Sequence, residues 1–277
     1  MRCYVTEMPW LVFTNVYVAL CGAALTAATG CLLGLPVRID HTSGLVFCCT
    51  LVIYNLDRLV EPNPGESEHE QWVERHLKFL WVLTACSAIA AVYLTTRLSH
   101  VALTSLPIAG VVAIGYCLPV LPYRGRWYRL KAVPGAKLLL IALVWTYATA
   151  GLPMLESGIT LDSSNAMILL TRFFFIAAVA LPFDLPDMQR DQRSGIKTIP
   201  TLLGIRATRS VAWGLVIASA CTAILTPWPA ASALLISCVC TAGLISMLSP
   251  QRGVFYFMVA LDGMLLVQAG LLWACSG

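Results

Sequence analysis

Charged residues are scarce in this chain. Of its 277 residues only 12% are Asp, Glu, Lys or Arg, roughly half the share found in soluble domains, while 58% are hydrophobic. The mean hydropathy is +0.79. This composition excludes a soluble globular protein. The net charge is only +4, an excess too small to favour a nucleic-acid partner.

The eleven cysteines lack any CxxC spacing, so a zinc or redox site of that type is not expected. Ten of them fall inside apolar runs and are interpreted as small apolar fillers. The run from 133 to 153 is apolar on every face and lacks the alternating polarity of a transmembrane strand, which excludes a barrel. No separate soluble domain or convincing repeat is present, and residues 1–277 are read as one transmembrane domain.

Long apolar runs alternate with polar breaks along the whole chain. A transmembrane helix needs roughly 20 apolar residues, so nine of them fit the chain and leave room for loops. The predicted fold class is an all-α membrane protein, a nine-transmembrane-helix bundle. The predicted spans are 8 to 35, 42 to 60, 77 to 97, 101 to 121, 133 to 153, 165 to 183, 207 to 227, 229 to 248 and 254 to 275.

Basic residues gather on one side of this topology. Lys and Arg are retained on the cytoplasmic side of membrane proteins. With the N-terminus inside, only Arg38, Arg97 and Arg172 of the 18 basic residues lie toward the outer side. The remaining fifteen predict an N-in, C-out orientation and a multi-pass protein of the lipid bilayer with its polar segments in the cytoplasm.

Three aspartates follow the sixth predicted span. Asp184, Asp187 and Asp191 have the spacing i, i+3, i+7, which places their carboxylates on one face of a helix. Like charges at these spacings repel, and acids near a helix C-terminus oppose its dipole, so the cluster needs a compensating cation. Mg²⁺ bound together with a substrate phosphate meets this need.

A second acid pair ends span 2 on the same side of the membrane. Asp57 and Glu61 are spaced i, i+4 and share a helix face, whereas Asn55 lies about 200° away round the helix and faces elsewhere. In a bundle the two clusters can face each other across a cavity. Lys131, Lys197 and the basic segment from Arg124 to Lys137 would hold phosphate oxygens beside them. A diphosphate head with a long apolar tail, an isoprenyl diphosphate, fits such a site.

At these residues the chain resembles a known family. The stretch DLPDMQRDQRSGIKTIP is similar to the second aspartate-rich motif of the UbiA superfamily of intramembrane prenyltransferases. Asp57-Arg58-x-x-Glu61, followed by Asn63-Pro64, resembles its first motif, and Tyr116 with Leu130-Lys131 resembles its Tyr and Leu-Lys element, here separated by an insertion. The first motif departs from the pattern, with Ile53 in place of Asn and Glu61 in place of the last Asp.

The resemblance implies a Mg²⁺-dependent enzyme that transfers an isoprenyl group from its diphosphate to a hydrophobic, lipid-soluble acceptor. It implies that five acids serve as catalytic and metal-binding residues, and that basic residues bind the diphosphate. The acids are Asp57, Glu61, Asp184, Asp187 and Asp191, and the basic residues are Lys131, Lys197, Arg58 and Arg129. A terpene cyclase of the same superfamily is an alternative, since the altered first motif leaves the reaction open. A transporter is a non-enzyme alternative, but the outer side has only Asp40, Glu156 and Asp162 in or near its breaks.

Two ionisable residues lie deep inside predicted spans. Asp262 is about eight residues into span 9, and Arg172 is roughly 18 Å from Asp184 along span 6. Ionisable groups inside a bilayer are functional candidates by default. A structural ion pair between the two is the preferred interpretation, and a role in acceptor binding or cation steering is the alternative. Gln268 is expected to hydrogen-bond a neighbouring helix.

Overall fold

The computed structural model describes residues 8–60, 68–123, 126–133, 135–186, 188, 192 and 198–276. Apart from one short hairpin, the regular structure in these ranges is helical. The helices are α1 (Met8–Phe13), α2 (Val16–Leu32), α3 (His41–Val60), α4 (Glu68–Arg75), α5 (Leu77–Thr95), α6 (His100–Cys117), α7 (Ala136–Thr146), α8 (Leu152–Glu156), α9 (Ser163–Ala180), α10 (Ile199–Ala223), α11 (Ala230–Ser246) and α12 (Gly263–Ala274).

The helices pack side by side around a shared interior. Helix α2 packs against α3 and α12, and successive contacts then lead from α12 through α11, α10, α9, α7 and α6 back to α3. The outward faces stay apolar: Ile89, Val92, Ile108 and Val239 are each about 70% exposed. Apolar surface of this extent suits lipid rather than water. The chain is therefore an integral membrane protein.

Six helical segments among the described residues are long and apolar enough to cross a membrane. They are His41–Val60, Leu77–Thr95, His100–Cys117, Ala136–Glu156, Ser163–Asp184 and Tyr256–Ala274. Helices α2 and α11 are apolar but shorter. The described helices thus lie at the nine expected positions, while the number that cross the bilayer and their orientation stay predictions.

The first helical segment is interrupted, although the sequence predicted one span over 8–35. Asn15 adopts a left-handed backbone conformation (φ 62°) and separates α1 from α2. Its side-chain amide donates to Asn55 Oδ1 at 2.8 Å, and the Asn55 amide donates to the Thr14 carbonyl at 3.3 Å. These bonds replace helical ones and fix α1 against α3. They also confirm that Asn55 faces away from Asp57.

Two further helical segments contain π-turns, over Tyr147–Gly151 before α8 and over Tyr256–Leu261 before α12. A π-turn widens the helix by one residue and shifts the direction of the side chains after it. The first π-turn packs against α2. The second ends immediately before Asp262, so it sets the direction in which that carboxylate points.

The two ends of the bundle are called outer and inner after the predicted orientation. At the outer end, acids bind the starts of helices. Asp40 accepts hydrogen bonds from the backbone N–H groups of Thr42 and Ser43 at 3.0 Å, and Asp162 accepts one from Asn165 N–H at 2.8 Å. These are N-caps, which satisfy amides that the helix leaves unpaired. The three acids that the sequence analysis placed on the outer side therefore include two with a local structural role.

Candidate active site at the inner end of the bundle

Two predicted acids, one from each cluster, form ion pairs with lysines at the inner end of the bundle. Asp57 lies in the last turn of α3, and its Oδ1 accepts a hydrogen bond from Lys131 Nζ at 2.7 Å. Asp184 ends the short 3-10 turn Leu181–Asp184 after α9 and accepts a hydrogen bond from Lys137 Nζ. Asp184 is only 5% exposed, whereas the side chain of Asp57 is 30% exposed. The Asp184 carboxylate is thus buried, and the Asp57 carboxylate is partly accessible.

Tyr116 connects the two acids. Its hydroxyl lies close enough to both Asp57 and Asp184 to be influenced by the charge of each. Lys131 Nζ lies 5.7 Å from the centre of its ring, within the range of a cation–π contact. Tyr116 is in the last turn of α6, so residues of α3, α6 and the end of α9 border the same space.

The insertion between Tyr116 and Lys131 forms a hairpin that the sequence did not predict. Strand β1 (Leu121–Tyr123) pairs antiparallel with β2 (Arg126–Tyr128), with Pro122 opposite Trp127. The chain then turns through Leu130–Ala132 into α7. The hairpin therefore brings Lys131 back over the tyrosine that precedes it by fifteen positions.

Arg129, one of the predicted diphosphate-binding residues, lies near Asp57 beside Cys117. The thiol is within electrostatic reach of Asp57, Lys131 and Arg129, and it donates a weak hydrogen bond to the Ile53 carbonyl at 3.5 Å. Arg129 therefore borders the same pocket as Asp57. The backbone of Ile53, where the resembled motif has Asn, is held here by the cysteine.

Arg58 lies on a different side of α3. Its charge acts on His69 of α4, whose ring packs 4.6 Å from that of Phe13. Burial, assisted by the Arg58 charge, lowers the pKa of His69 to about 3. This part of the inner end is a packed junction of α1, α3 and α4.

Several predicted site residues lie outside the described residues. They are Glu61, Arg124, Asp187, Asp191 and Lys197. Within the part of the chain that the structure describes, no three His, Cys, Asp or Glu side chains come together as a metal site. The described contribution to the predicted site is therefore one carboxylate from each acid cluster, together with their lysines.

The deep ion pair predicted between Arg172 and Asp262 is not formed. Arg172 is 2% exposed, and its Nη2 donates to Thr29 Oγ1 at 3.1 Å. Thr29 in turn donates to the Thr149 carbonyl in the first π-turn at 2.6 Å. A threonine hydroxyl therefore replaces the expected carboxylate as the partner of Arg172. Gln268 does bond a neighbouring helix as expected, through Ser237 Oγ at 3.1 Å.

Tyr54 is a pocket residue that the sequence analysis missed. Its hydroxyl is influenced by the charges of Asp57 and Asp262, and it also lies near Tyr116. The rings of Tyr54 and Trp145 meet edge to face with centroids 6.3 Å apart. Tyr54 precedes Asp57 by three positions, a spacing that puts both on one helix face. That spacing was the available signal.

Four other aromatic residues of the neighbouring segments pack or hydrogen-bond elsewhere in the described structure. Phe175 is completely buried in the core, and Phe173 and Phe174 pack against each other. The Tyr147 and Ser105 hydroxyls share a hydrogen bond at 2.5 Å. These four residues therefore have packing or hydrogen-bonding roles.

The described residues have donor chemistry that suits magnesium with a diphosphate. Mg²⁺ takes oxygen ligands, commonly one or two carboxylates together with phosphates and water. Asp57 and Asp184 supply such oxygens from separate helical segments, and Lys131 and Lys137 supply positive charge beside them. Each of these two carboxylates is thus matched by an ammonium group among the described residues. An incoming metal and diphosphate can replace these pairings without leaving a charge unmatched.

Comparison with known proteins identifies the fold. Neither a scan of protein-family models nor a search of curated proteins finds a match to the sequence. Among solved structures, a UbiA homologue from Archaeoglobus fulgidus bound to GPP and Mg²⁺ matches with a TM-score of 0.69 at 12% identity, over 96% of this chain and 99% of that one. A UbiA homologue structure from the same organism, bound to DMAPP and Mg²⁺, matches with a TM-score of 0.65 at 13% identity, over 96% and 98%.

A third match comes from a structural study of digeranylgeranylglyceryl phosphate synthase, with a TM-score of 0.54 at 12% identity over 97% of this chain and 98% of that one. The similarity therefore extends along nearly the whole chain in each case. At 12–13% identity it describes the fold. The resemblance seen in the sequence motifs is confirmed at that level: this chain has the fold of the UbiA homologues.

Proposed function

We propose that the chain is a UbiA-superfamily prenyltransferase that uses Mg²⁺ to transfer an isoprenyl group from its diphosphate to a lipid-soluble acceptor. One observation carries this proposal. Asp57 and Asp184, from separate helical segments, both influence Tyr116 through their charge, and each is paired with a lysine of the segment that follows the hairpin. Paired carboxylates and lysines around one pocket are the groups needed to bind a metal diphosphate.

The proposed metal ligands are the carboxylates of both acid clusters. Asp57 and Asp184 are described, and Glu61, Asp187 and Asp191 complete the set from residues outside the described ranges. When bound, Mg²⁺ would neutralise the diphosphate and stabilise it as a leaving group. The burial of Asp184 keeps its carboxylate oriented, because a side chain with little exposed surface has few alternative rotamers.

The basic residues would hold the diphosphate oxygens that the metal leaves free. Lys131 is positioned for this over Tyr116, and Arg129 borders the same pocket through Cys117. Lys197 and Arg58 are proposed for the same task, with Arg58 the more distant because it contacts the His69 side of α3. Release of Lys131 from Asp57 would let its ammonium group follow the diphosphate as the C–O bond breaks.

Two aromatic rings beside Asp57 support a site that stabilises an allylic cation. The Tyr116 ring face already accepts an ammonium group, and Tyr54 lies one helical turn deeper on the wall that carries Asp57. Ring faces stabilise positive charge, most strongly where water is excluded. The tail of the substrate would extend past Tyr54 into the bundle. The GPP and DMAPP bound by the fold relatives support an isoprenyl diphosphate as the substrate class.

The test is turnover by the purified full chain with Mg²⁺ and geranyl, farnesyl or geranylgeranyl diphosphate. We expect Mg²⁺-dependent release of diphosphate that becomes fast only when a lipid-soluble aromatic or other nucleophilic acceptor is added, with a prenylated product identified by mass spectrometry. Rapid release without an acceptor, together with a cyclic hydrocarbon or alcohol, would instead identify a terpene cyclase. Lack of Mg²⁺-dependent release from any of the three substrates would contradict the proposal.

The proposed orientation places this site in the cytoplasm. It follows from the fifteen-to-three distribution of basic residues. In a cysteine-free background, single cysteines at positions 66 and 192 should resist a membrane-impermeant thiol reagent in intact cells, and a cysteine at position 160 should be labelled. Labelling of position 192 from outside would place the site on the opposite side of the membrane.

A further inference from the structure

Asp262 lies inside the bundle at the end of the second π-turn, and it faces the interior. Its charge acts on three side chains of neighbouring helices: Tyr17 and Cys21 of α2, and Tyr54 of α3. The residue nevertheless keeps part of its surface accessible, unlike Leu261 and Gly263 on either side of it. Asp262 is therefore not fully enclosed by the side chains around it.

The carboxylate of Asp262 has no partner among the described residues. No described donor hydrogen-bonds it, and the cation once expected beside it, Arg172, is bound to Thr29. An uncompensated carboxylate in an apolar interior is costly. A structural polar residue would be expected to bond a neighbouring side chain, as the Gln268 amide does one turn and a half later by donating to Ser237 Oγ.

The backbone around Asp262 is held in place. The Tyr17 hydroxyl donates to the Val259 carbonyl at 3.0 Å, which satisfies a backbone oxygen in the π-turn. The same hydroxyl would lie 2.8 Å from a Cβ atom at Gly263, so only glycine admits the tyrosine there. Tyr17 thus fixes the segment on both sides of Asp262 and leaves the carboxylate itself unbonded.

Tyr54 links the surroundings of Asp262 to those of Asp57. Its ring meets that of Trp145 edge to face, and Trp145 packs against α2 at Gly22, beside Cys21. Tyr54 is also influenced by the charges of both Asp57 and Asp262. A substrate with its diphosphate at Asp57 would lay its hydrocarbon part against Tyr54 and Asp262.

We propose that Asp262 is the proton acceptor that completes the reaction. The inference rests on the proposed function. The C–O bond to the diphosphate breaks and its electron pair leaves with the diphosphate. The allylic cation then forms a carbon–carbon bond with the π electrons of a nucleophilic carbon. A C–H bond on a carbon next to the resulting cationic carbon then breaks. Its electrons restore a double bond, and the proton goes to an Asp262 carboxylate oxygen.

The division of roles follows from placement. A carboxylate that is engaged with lysine or metal, as at Asp57, is a poor base, whereas an unpartnered carboxylate among apolar side chains gains by accepting a proton. The assignment holds for an acceptor carbon and for a double bond of the tail itself, because both routes end in the loss of one proton from carbon.

The experiment compares wild type with Asp262→Asn and Asp262→Glu as full chains in lipid nanodiscs. Mg²⁺ is supplied with the prenyl diphosphate, among geranyl, farnesyl and geranylgeranyl diphosphate, that wild type turns over, and with the same acceptor. Organic product and released diphosphate are quantified by mass spectrometry, and prenyl diphosphate binding is measured separately by calorimetry. We expect Asp262→Asn to bind prenyl diphosphate as wild type does but to form product about 10²- to 10⁴-fold more slowly, the usual contribution of a general base. Asp262→Glu should recover part of that loss. Asp162→Asn, the same substitution at a helix cap, should behave as wild type.

Three outcomes would overturn the inference. Wild-type product formation by Asp262→Asn would show that the carboxylate takes no proton. Loss of prenyl diphosphate binding by Asp262→Asn would show that the residue supports the pocket rather than the chemistry. Lack of Mg²⁺-dependent diphosphate release from wild type itself would contradict the proposed function, and the proton-acceptor role would fail with it.

Discussion

The two ends of helix α3 show carboxylates in different settings. At its start, His41 Nε2 lies 2.9 Å from Glu156 Oε1, and the other oxygen of Glu156 accepts the Ser99 backbone N–H at 2.8 Å. About 24 Å along the helix, Asp57 is paired with the side chain of Lys131. The outer carboxylate joins helix ends through a backbone group, whereas the inner one holds a long, mobile side chain.

The group that each carboxylate binds distinguishes acids that stabilise the fold from acids that could bind a ligand. A backbone amide at a helix start cannot leave its place, so the carboxylate it binds is committed to the fold. A lysine ammonium on a four-carbon stem can move from one anion to another at small cost. The inner acids therefore remain available to a metal and the lysines to a diphosphate, while the outer acids do not. The residue types alone do not make this distinction.

The largest effect is expected at Asp184. Asp184→Asn removes the charge of a 5%-exposed carboxylate with little change in volume, so the fold should survive while Lys137 loses its ion-pair partner. Turnover of a prenyl diphosphate should fall by about 10³-fold or more, the scale expected when several kcal/mol of charge stabilisation is lost. Initial rates at saturating Mg²⁺ measure this. Asp187→Asn and Asp191→Asn should act in the same direction.

The matched control is Asp162→Asn at the outer end, where asparagine still caps α9. It should leave both turnover and thermal midpoint within error of wild type. If all three inner variants kept wild-type turnover, the inner acids would have no metal role and the contrast between the two ends would disappear.

The next largest effect is expected at Lys131. Lys131→Met keeps the length of the side chain but removes the charge beside Asp57 and over Tyr116. Loss of a hydrogen bond from this partly buried ammonium group to a charged diphosphate costs about 2 kcal/mol, so the KM for prenyl diphosphate should rise about 30-fold. Steady-state kinetics with varied substrate measures the change. Lys78→Met, an exposed lysine at the same end, should leave the KM unchanged; an equal rise there would point to general surface charge.

Hydropathy predicted the helical bundle well because the length of an apolar span follows from the thickness of the bilayer. Of the acid clusters, Asp57 and Asp184 lie at the ends of helical segments as expected. The break at Asn15 was not foreseen, because it depends on a hydrogen bond to Asn55 on another helix. The hairpin before Lys131 was also not foreseen, nor was the hydrogen bond of Arg172 to Thr29 in place of an ion pair with Asp262. Both depend on contacts between different segments. Sequence periodicity carries no information on such contacts.

A smaller effect, on stability alone, is expected at Glu156. Glu156→Gln keeps one oxygen for Ser99 N–H but loses the charge that attracts His41. The free energy of unfolding should fall by about 1 to 3 kcal/mol, the range for hydrogen bonds to charged groups. Thermal melting in detergent at neutral pH measures this, while turnover per folded molecule should equal that of wild type. A loss of turnover without a loss of stability would give the outer end a functional role that its contacts do not indicate.

The smallest effect concerns His69, an ionisable group at the inner end that lies in the packed junction with Phe13. Burial and the Arg58 charge lower its pKa to about 3, far below the ordinary value near 6.5. Between those two pH values the unfolded chain takes up a proton that the folded chain refuses, so stability must fall as the pH falls through this window. The slope from one such group is at most about 1.4 kcal/mol per pH unit.

His69→Phe removes the titrating ring and keeps its contact with Phe13, so its melting midpoint should fall less steeply than that of wild type between pH 6.5 and 4. His100→Phe, at an exposed position, should keep the wild-type slope. If His69→Phe kept that slope but lost turnover, the junction would belong to the active site. Functional residues would then be distinguished by their location at the inner end and not by the kind of partner that each one binds.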